Sequence, residues 1–349
     1  MKVLFHLGHP AHFHLFKNLI NELKDKGHQT FILIKKKDVL EDLLKENGYN
    51  YHNILPSGRK DSFLSIGFAL LKQDWGILKF CLKEKVDMLV GTSASISHVG
   101  MLIRKTSLVV GEDDAAAVPL LAKISYPFAS AVVTPDVCKN GKWEYKCIKY
   151  KGYHELAYLH PNYFKPQRSV VEKYIDLKKP FFLLRFAKLG AHHDKGIEGI
   201  NDNIAMNLVN MLKPHGNIYI TSEREIKGEL NEHRLNINPK DIHHIMAYAS
   251  FYIGDSQTMA AEAGVLGIPF IRFNDFVGRI GYLEDLENKY KLGFGVKTEN
   301  VEDLYKKVVE LIQMKDRKDV FQKRRQIMLS NKIDVVEYLT DLIINYNKK

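Results

Sequence analysis

Hydrophobic residues occur in short continuous runs, separated by longer segments with helical spacing. Residues 2–7 and 28–34 each form such a run, which predicts a strand buried on both faces. Between them, apolar positions at helical spacing predict a helix that ends at Lys26-Gly27, a basic last turn followed by a glycine. Because strand, helix and strand in this order form a βαβ unit, we expect a parallel sheet.

The same alternation continues along the chain in two series. Further strands are predicted at 86–92, 107–112 and 130–135, and then at 180–186, 216–223, 250–256 and 268–273. Between the series, residues 151–180 contain prolines and aromatics without clear periodicity. We therefore predict a first domain over 1–155, a linker over 156–178, a second domain over 179–325, and a helix over 326–349 that packs back on the first domain. Two such α/β domains imply a cleft, with ligands at the carboxyl ends of the strands.

Composition narrows the class of protein but not its ligand. The 349 residues are 45% hydrophobic and 26% charged, which is typical of a globular chain, and the net charge of +10 favours anionic partners in general. The three cysteines form neither a CxxC pair nor a disulfide framework, which favours a reducing compartment. No signal peptide or membrane-spanning run is apparent, so we expect a cytoplasmic protein.

The strongest motif is "GDSQTMAAEAGVLGIPFIR", which begins at Gly254. An apolar strand ends in Gly254, Asp255 and Ser256, and a helix opens at about Thr258. The free N–H groups and positive dipole end of such a helix bind anions, and the hydroxyl groups of Ser256 and Thr258 add donors. Glu262 lies one turn further on the same face, where its carboxylate can accept the two hydroxyls of a ribose. The alternative is a simple N-capped helix with Glu262 in solvent.

This segment resembles the nucleotide-sugar motif of GT-B glycosyltransferases and of the related non-hydrolysing UDP-GlcNAc 2-epimerases. Stretches across nearly the whole chain resemble the family of domain of unknown function 354, namely "GHPAHFHLFKNLINEL", "EDDAAAVPLLAKISYPFASAVVTP", "FLLRFAKLGAHHDKGIEGI", "YITSE" and "DIHHIMAYASFYIGDSQTMAAEAGVLGIPFIR". The resemblance implies a GT-B fold, in which two Rossmann-like domains with parallel sheets face a cleft. It further implies that the first domain binds an acceptor and the second a nucleotide sugar, with diphosphate at the small-residue turn and ribose at Glu262.

Other polar residues follow predicted strands of the second domain. Arg185 ends one strand, where a guanidinium can clamp a diphosphate, although it is otherwise a surface arginine. Ser222 and Glu223 follow the next strand and are expected to line the same cleft. By the resemblance, His244 lies in a region that cups the nucleobase, unless this segment is a capped helix with Ile245 in the core.

Metal ligation is not favoured anywhere in the sequence. His192, His193 and Asp194 lie in a glycine-containing loop, but adjacent histidines seldom chelate one ion well. The four histidines of "HLGHPAHFHLF" have suitable spacing, yet no cysteine or carboxylate stands near them in sequence. We therefore expect neither a metal nor another cofactor.

The histidines of this first motif divide by their predicted positions. His6 lies within the buried strand and is expected to pack, whereas Gly8 and His9 are expected to line the floor of the cleft. His12 resembles the loop histidine of the lipid-linked peptidoglycan GlcNAc transferase, which implies a catalytic base or an acceptor-positioning group. That family's loop is glycine-rich, whereas this one has only Gly8. Local packing is the alternative for His12, and His14 is the second candidate for the base.

A second candidate for acid–base chemistry is "GEDDAA" at residues 111–116. Adjacent carboxylates repel one another, which raises a pKa and suits Asp113 or Asp114 to the role of base. The alternative is a solvated loop. The serine-rich turn at 91–98 either binds sugar hydroxyls or caps a helix.

These features predict a metal-independent glycosyltransferase that uses a nucleoside-diphosphate sugar, expected to be UDP-linked, and a glycan or lipid-linked acceptor. A nucleotide-sugar 2-epimerase is the second hypothesis, and a non-catalytic nucleotide-sugar binder is the third. No motif indicates nucleic-acid binding. Residues 59–85 mix lysines with Phe, Leu and Trp75, so they either contact an anionic membrane peripherally or form a buried helix with a basic face.

Overall fold

The computed structural model describes residues 1–35, 39–55, 63–187 and 199–346. It divides into two compact units, Met1–Tyr158 with Ile333–Lys349, and Leu159–Lys332. The predicted loop that holds His192, His193 and Asp194 lies outside the described residues.

Twelve strands and fifteen helices are present in the part of the chain that the structure describes. The strands are β1 Lys2–Leu7, β2 Gln29–Lys35, β3 His52–Leu55, β4 Met88–Gly91, β5 Thr106–Val110, β6 Ala131–Pro135, β7 Cys147–Tyr150, β8 Phe181–Phe186, β9 Asn217–Ser222, β10 Tyr252–Gly254, β11 Phe270–Phe273 and β12 Gly293–Val296. The helices are α1 Pro10–Asp25, α2 Leu40–Glu46, α3 Phe63–Glu84, α4 Ala94–Leu102, α5 Pro119–Ser125, α6 Leu156–Leu159, α7 Arg168–Val171, α8 Asp202–Leu212, α9 Glu229–Glu232, α10 Ile242–Met246, α11 Gln257–Leu266, α12 Gly281–Glu284, α13 Val301–Gln313, α14 Arg317–Asn331 and α15 Val335–Asn345.

The first unit is a parallel sheet with strand order β3-β2-β1-β4-β5-β6-β7. Successive side chains of β1 point to opposite faces of the sheet. On one face, Leu4 packs in a cluster with Ile77 of α3, Ile96 of α4 and Ala122 of α5. On the other face, the ring of Phe5 lies 5.4 Å from that of Phe16 of α1. Burial on both faces explains why β1 is continuously apolar.

Helix α1 begins and ends where the sequence indicates. Pro10 occupies its first turn, where a missing N–H costs nothing, and Gly27 follows the helix with a φ of 80°, in the left-handed region. The chain returns to the first unit at Ile333, and α15 contacts α1 there.

The second unit is a parallel sheet with strand order β12-β11-β10-β8-β9. In both sheets the strand order reverses beside the unit's first strand, between β1 and β4 and between β8 and β10. Such a reversal leaves a crevice at the carboxyl ends of the two strands, which is where open α/β sheets bind ligands. The prediction of two parallel α/β units is confirmed.

Three strands were not predicted, namely β3, β7 and β12. Each has four residues and lies at an edge of its sheet. Edge strands have one unpaired side and carry more polar residues, so the apolar signal that revealed the central strands is weak in them. No helix among the described residues has both the length and the hydrophobicity of a membrane span.

Candidate functional site

The strand-order reversal of the first sheet is lined by imidazole groups. His6 is fully buried at the end of β1, and its Nδ1 lies 2.6 Å from Ser93 Oγ, just beyond β4. Burial, together with the charge of Lys35, lowers the pKa of His6 to about 3, so the ring is neutral at pH 7. Its Nε2 is buried and has no hydrogen-bond partner among the described residues.

His12 is held in one orientation by two contacts. The Gly8 N–H group donates to His12 Nδ1 at 3.0 Å, and Thr92 Oγ1 lies 2.9 Å from Nε2. Because Nδ1 accepts a hydrogen bond, the proton of the neutral ring is on Nε2. Thr92 Oγ1 lies 2.9 Å from both ring nitrogens. Burial, with smaller contributions from His9 and Lys35, lowers the pKa of His12 well below its usual value. Both ring nitrogens are therefore engaged, which suits a positioning role better than the predicted role of base.

The other residues of the first motif have local roles. An added Cβ on Gly8 would lie 2.8 Å from Lys35 Cε, so the glycine lets the lysine side chain cross the end of β1. His9 caps α1, because its Nδ1 accepts the Ala11 N–H at 3.2 Å. The ring of His14, the second candidate for the base, instead lies 5.3 Å from that of Tyr158.

The carboxylates after β5 do not act as one group. Asp114 is buried, and its Oδ1 accepts the Lys139 N–H at 2.7 Å, so it fixes the loop. Glu112 Oε2 lies 3.3 Å from both the backbone nitrogen and Nδ1 of His154. Asp113 is close enough for its charge to act on the His154 ring. Within this acidic run, Asp114 therefore makes a structural contact, whereas Glu112 forms a carboxylate–imidazole pair with His154.

His154 is the functional candidate of the first unit that the sequence did not reveal. Its Nδ1 faces Glu112, so Nδ1 carries the proton and Nε2 carries the lone pair. Burial lowers the pKa of His154 to about 4, and Nε2 is buried with no partner in the described ranges. The only signal was a histidine beside Glu155 in a stretch without periodicity, which does not distinguish a site from a loop.

In the second unit, Asp255 joins the strand ends rather than facing a ligand. Its two carboxylate oxygens accept the N–H groups of Ala187, at 2.6 Å, and Ile200, at 3.2 Å. Burial raises the pKa of Asp255 to about 6, against the lowering effect of these hydrogen bonds. Its backbone oxygen also accepts the side-chain amide of Asn274. Asp255 thus connects the strand ends that border the crevice.

Arg185 and Tyr252 carry buried donors at the reversal between β8 and β10. Arg185 pairs in register with Gly254, and its guanidinium donates to Glu223. Its Nε is nevertheless buried without a partner in the described part of the chain, and so is the Tyr252 hydroxyl. A Cβ on Gly254 would lie 2.3 Å from that hydroxyl, so the glycine is required here.

Four of the predicted residues of this unit lie within electrostatic range of Tyr252. Burial raises the pKa of Tyr252 well above its usual value, the charges of Asp255, Glu262 and Glu223 raise it further, and the charge of Arg185 lowers it. The structure thus brings these four side chains together around one tyrosine. The Ser222 hydroxyl instead donates to the Arg224 carbonyl at 2.7 Å, which closes a local turn.

Helix α11 begins at Gln257, one residue before the predicted start. Ser256 is its N-cap, and Ser256 Oγ accepts the Met259 N–H at 3.4 Å. Thr258 lies half-buried in the first turn. The small residues of α11 allow close packing on the sheet, because a Cβ added to Gly264 would lie only 2.8 Å from the ring of Phe270. The helix therefore packs closely on the sheet with its N-terminus at the strand ends.

Glu262 is not in solvent. It is buried, and its Oε1 lies 2.9 Å from Nε2 of His243, which is also buried. The neighbouring His244, which was the predicted contact to a base, accepts the Gln167 N–H and lies against Phe164. The adjacent histidines therefore face different partners. The sequence did not indicate the contact between His243 and Glu262, because the helical phase of a five-residue helix is not fixed by its pattern.

A buried arginine of β11 contacts the first turn of α11. Arg272 is fully buried, and its guanidinium donates to Glu287 at 2.8 and 3.0 Å. It also donates to Gln257 Oε1 at 2.9 Å and to Glu284 Oε1 at 3.3 Å. Because Gln257 is the first residue of α11, this network fixes the helix N-terminus relative to β11.

Solved structures with this fold share little sequence with the chain. MnaA of S. aureus with UDP has a TM-score of 0.69 at 12% identity, over 99% of this chain and 97% of that one. UDP-GlcNAc 2-epimerase of Methanocaldococcus jannaschii, in complex with UDP-GlcNAc and UDP, has a TM-score of 0.66 at 15% identity, over 95% and 100%. MurG of Acinetobacter baumannii has a TM-score of 0.61 at 13% identity, over 99% of both chains. The predicted GT-B fold is confirmed.

Sequence comparison gives a family without a stated activity. No protein of curated function matches the sequence. One family profile matches residues 1–346, which is nearly the whole chain. The chain therefore belongs to the family described as protein of unknown function DUF354.

Proposed function

We propose that the protein is a glycosyltransferase that binds a nucleoside-diphosphate sugar in its second unit and transfers the sugar to an acceptor hydroxyl. The observation that carries the proposal is the pair of unpartnered buried donors, Arg185 Nε and the Tyr252 hydroxyl, at the strand-order reversal. A buried donor without an acceptor costs roughly 1–3 kcal/mol, so its retention favours a ligand that supplies one. The N-terminus of α11 follows the same strand and adds a positive dipole end, which suits a diphosphate.

The carboxylate of Glu262 supports a ribose as the adjoining group. His243 fixes the Glu262 side chain at 2.9 Å, and a carboxylate accepts up to about four hydrogen bonds. A carboxylate held in this way can accept the two vicinal hydroxyls of a ribose. UDP and UDP-GlcNAc are present in structures of this fold, which supports a uridine nucleotide as the donor.

On the acceptor side, we propose His154 as the base in place of His12. Glu112 holds the His154 proton on Nδ1, so Nε2 presents its lone pair, whereas both nitrogens of His12 are engaged. His154 Nε2 takes the proton of the acceptor hydroxyl as the acceptor oxygen bonds to the anomeric carbon. The bond from that carbon to the diphosphate oxygen breaks, and the diphosphate leaves with the electron pair. Arg185 and the α11 dipole stabilise the leaving charge.

A 2-epimerase is the second candidate, because structures with this fold include UDP-GlcNAc 2-epimerases. That reaction needs acid–base groups near C2 of the sugar rather than an acceptor. Such groups are supplied by Glu112, Asp113 and His154, which follow the carboxyl ends of strands in the first sheet.

The test is an assay of the purified protein with a panel of nucleotide sugars, with and without candidate acceptors. Nucleoside diphosphate released only when an acceptor is present supports transfer, whereas a C2 epimer formed without an acceptor supports the epimerase. Arg185→Gln should reduce turnover at least tenfold, while Arg234→Gln, an arginine change outside this crevice, should leave it unchanged. Absence of both products with every donor, or full activity of Arg185→Gln, would refute the proposal.

A further inference from the structure

Helix α3 of the first unit is apolar on two opposite faces. Its inner face, with Ala69, Ile77 and Cys81, is buried against the sheet. Its outer face carries four large apolar side chains that are mostly exposed, Phe68 at 75%, Leu71 at 67%, Trp75 at 68% and Leu82 at 63%. At 100° per residue these four lie within one narrow stripe, opposite the buried face. A helix that is apolar on all sides is normally buried, so we expect the exposed outer stripe to be an interaction surface.

Lysines flank the stripe on one side. Lys72, Lys79 and Lys83 are exposed at helical spacing beside Trp75, and Lys83 Nζ lies 3.8 Å from Glu84 Oε1 at the end of the helix. The other acidic residue of the described helix, Asp74, is half-buried and pairs with His98 of α4 at 2.9 Å. The outer face of α3 is therefore both apolar and cationic.

Neighbouring helices extend the apolar surface. His98 of α4 contacts Asp74 on α3 through Nδ1, and its Nε2–H donates to the Ile124 carbonyl of α5, so the three helices are adjacent. The same two neighbours expose further apolar side chains, Met101 at 56%, Leu102 at 66% and Leu120 at 47%. Helix α3 is therefore buried along its inner face, and its outer face is both apolar and basic.

We propose that the outer face of α3 docks the protein peripherally on an anionic membrane surface. Apolar side chains that include a tryptophan enter the boundary between headgroups and acyl chains, while the flanking lysines contact anionic headgroups. Charge complementarity favours this partner over a second copy of the chain, since the lysine-flanked stripe of one copy would meet the same lysines of the other. The inference is independent of the enzymatic activity proposed above.

The test is sedimentation of the full chain with vesicles of phosphatidylcholine alone or mixed with phosphatidylglycerol. We expect binding to the mixed vesicles and little to the neutral ones. Changing Lys72, Lys79 and Lys83 to Glu should weaken binding at least a hundredfold, because each lysine near an anionic surface contributes about fivefold. The matched control changes Lys315, Lys318 and Lys323 of the second unit to Glu and should bind as the wild type.

Apolar insertion is tested separately in a Trp143→Phe background, where Trp75 is the remaining tryptophan of two. Trp75 emission should shift to the blue on mixed vesicles, and Trp75→Ser should weaken binding at least tenfold, unlike Ile327→Ser on α14. Unchanged melting temperatures would show that each variant folds. Equal binding by the α3 variants, or an unshifted Trp75 emission, would overturn the proposal. Self-association in solution that Trp75→Ser abolishes, without vesicle binding, would assign the face to a second copy instead.

Discussion

The two sheets place opposite chemistry at equivalent positions. Around the reversal of the first sheet lie the imidazoles of His6, His12 and His154, whose pKa values burial lowers. Beside the reversal of the second sheet lies the carboxylate of Asp255, whose pKa burial raises, and burial also raises the pKa of Glu287, which pairs with Arg272 of β11. The carboxyl ends of the strands in the first sheet thus present neutral imidazoles that can accept protons. The carboxyl ends of the strands in the second sheet present hydrogen-bond donors, and carboxylates that pair with cationic side chains.

This difference shows how one topology serves two tasks. Strand order sets where a crevice lies, and the residues after each strand set what it binds. A neutral imidazole suits an edge that receives a hydroxyl proton, whereas the guanidinium of Arg185 and the dipole of α11 suit an edge that binds a diphosphate.

The largest expected effect is an opposite dependence of the two units on pH. The unfolded chain binds more protons at His6 between pH 6.5 and about 3, so the first unit should lose up to about 5 kcal/mol of stability as pH falls through that range. Asp255 binds its proton more tightly in the folded state, so the second unit should lose up to about 3 kcal/mol as pH rises from 3.8 to about 6. Hydrogen exchange resolved by unit measures both slopes.

His6→Gln should reduce the slope of the first unit, to which His12 and His154 still contribute, without altering the slope of the second. His52→Gln, which changes an exposed histidine of the same unit, is the control. If the stability of both units changed with pH in the same direction, the proposed difference between the two sheets would be wrong.

The next effect concerns Arg272, a fully buried arginine that has no counterpart among the described residues of the first unit. Arg272→Met leaves Glu287 buried without its cation, and loss of one member of a buried pair costs about 3–5 kcal/mol. We expect protection in the second unit to fall by that amount, and protection in the first to change little. Arg279→Met, at an exposed arginine, serves as the control, and a native-like Arg272→Met would contradict the assigned role.

A smaller effect is expected from Gly254→Ala at the end of β10. The added methyl would meet the Tyr252 hydroxyl, so the strand must shift at a cost of about 1–3 kcal/mol. Gly254→Ala combined with Tyr252→Phe should recover part of the loss, because Phe lacks the hydroxyl in the way. Urea unfolding of the single and double variants measures the coupling, and strictly additive losses would show that the two residues do not interact.

The smallest expected effect is loss of the α11 cap. Ser256→Ala removes the acceptor for the Met259 N–H and should cost about 1 kcal/mol. Ser256→Asp keeps an acceptor and should restore the stability. Equal melting temperatures for all three proteins would mean that the cap is not formed in solution.

Much of this fold follows from the sequence, because central strands such as β1 and β8 are buried on both faces and must be apolar. The N-cap at Ser256 and the stop at Gly27 follow from local chemistry. The partners of buried polar groups do not, since they depend on long-range packing. The pair of His154 and Glu112 joins residues 42 positions apart, and His243 rather than His244 reaches Glu262 because of the phase of a short helix.

We propose that Glu262 accepts ribose hydroxyls from a nucleotide bound at the second sheet. The direct test is calorimetric binding of UDP and of 2′-deoxy-UDP to the wild type, Glu262→Gln and the exposed control Glu299→Gln. We predict that the wild type and the control prefer UDP by about tenfold or more, as expected for hydrogen bonds to a buried charge, and that Glu262→Gln loses this preference. An equal preference in all three proteins, or no binding of UDP to the wild type, would contradict the account.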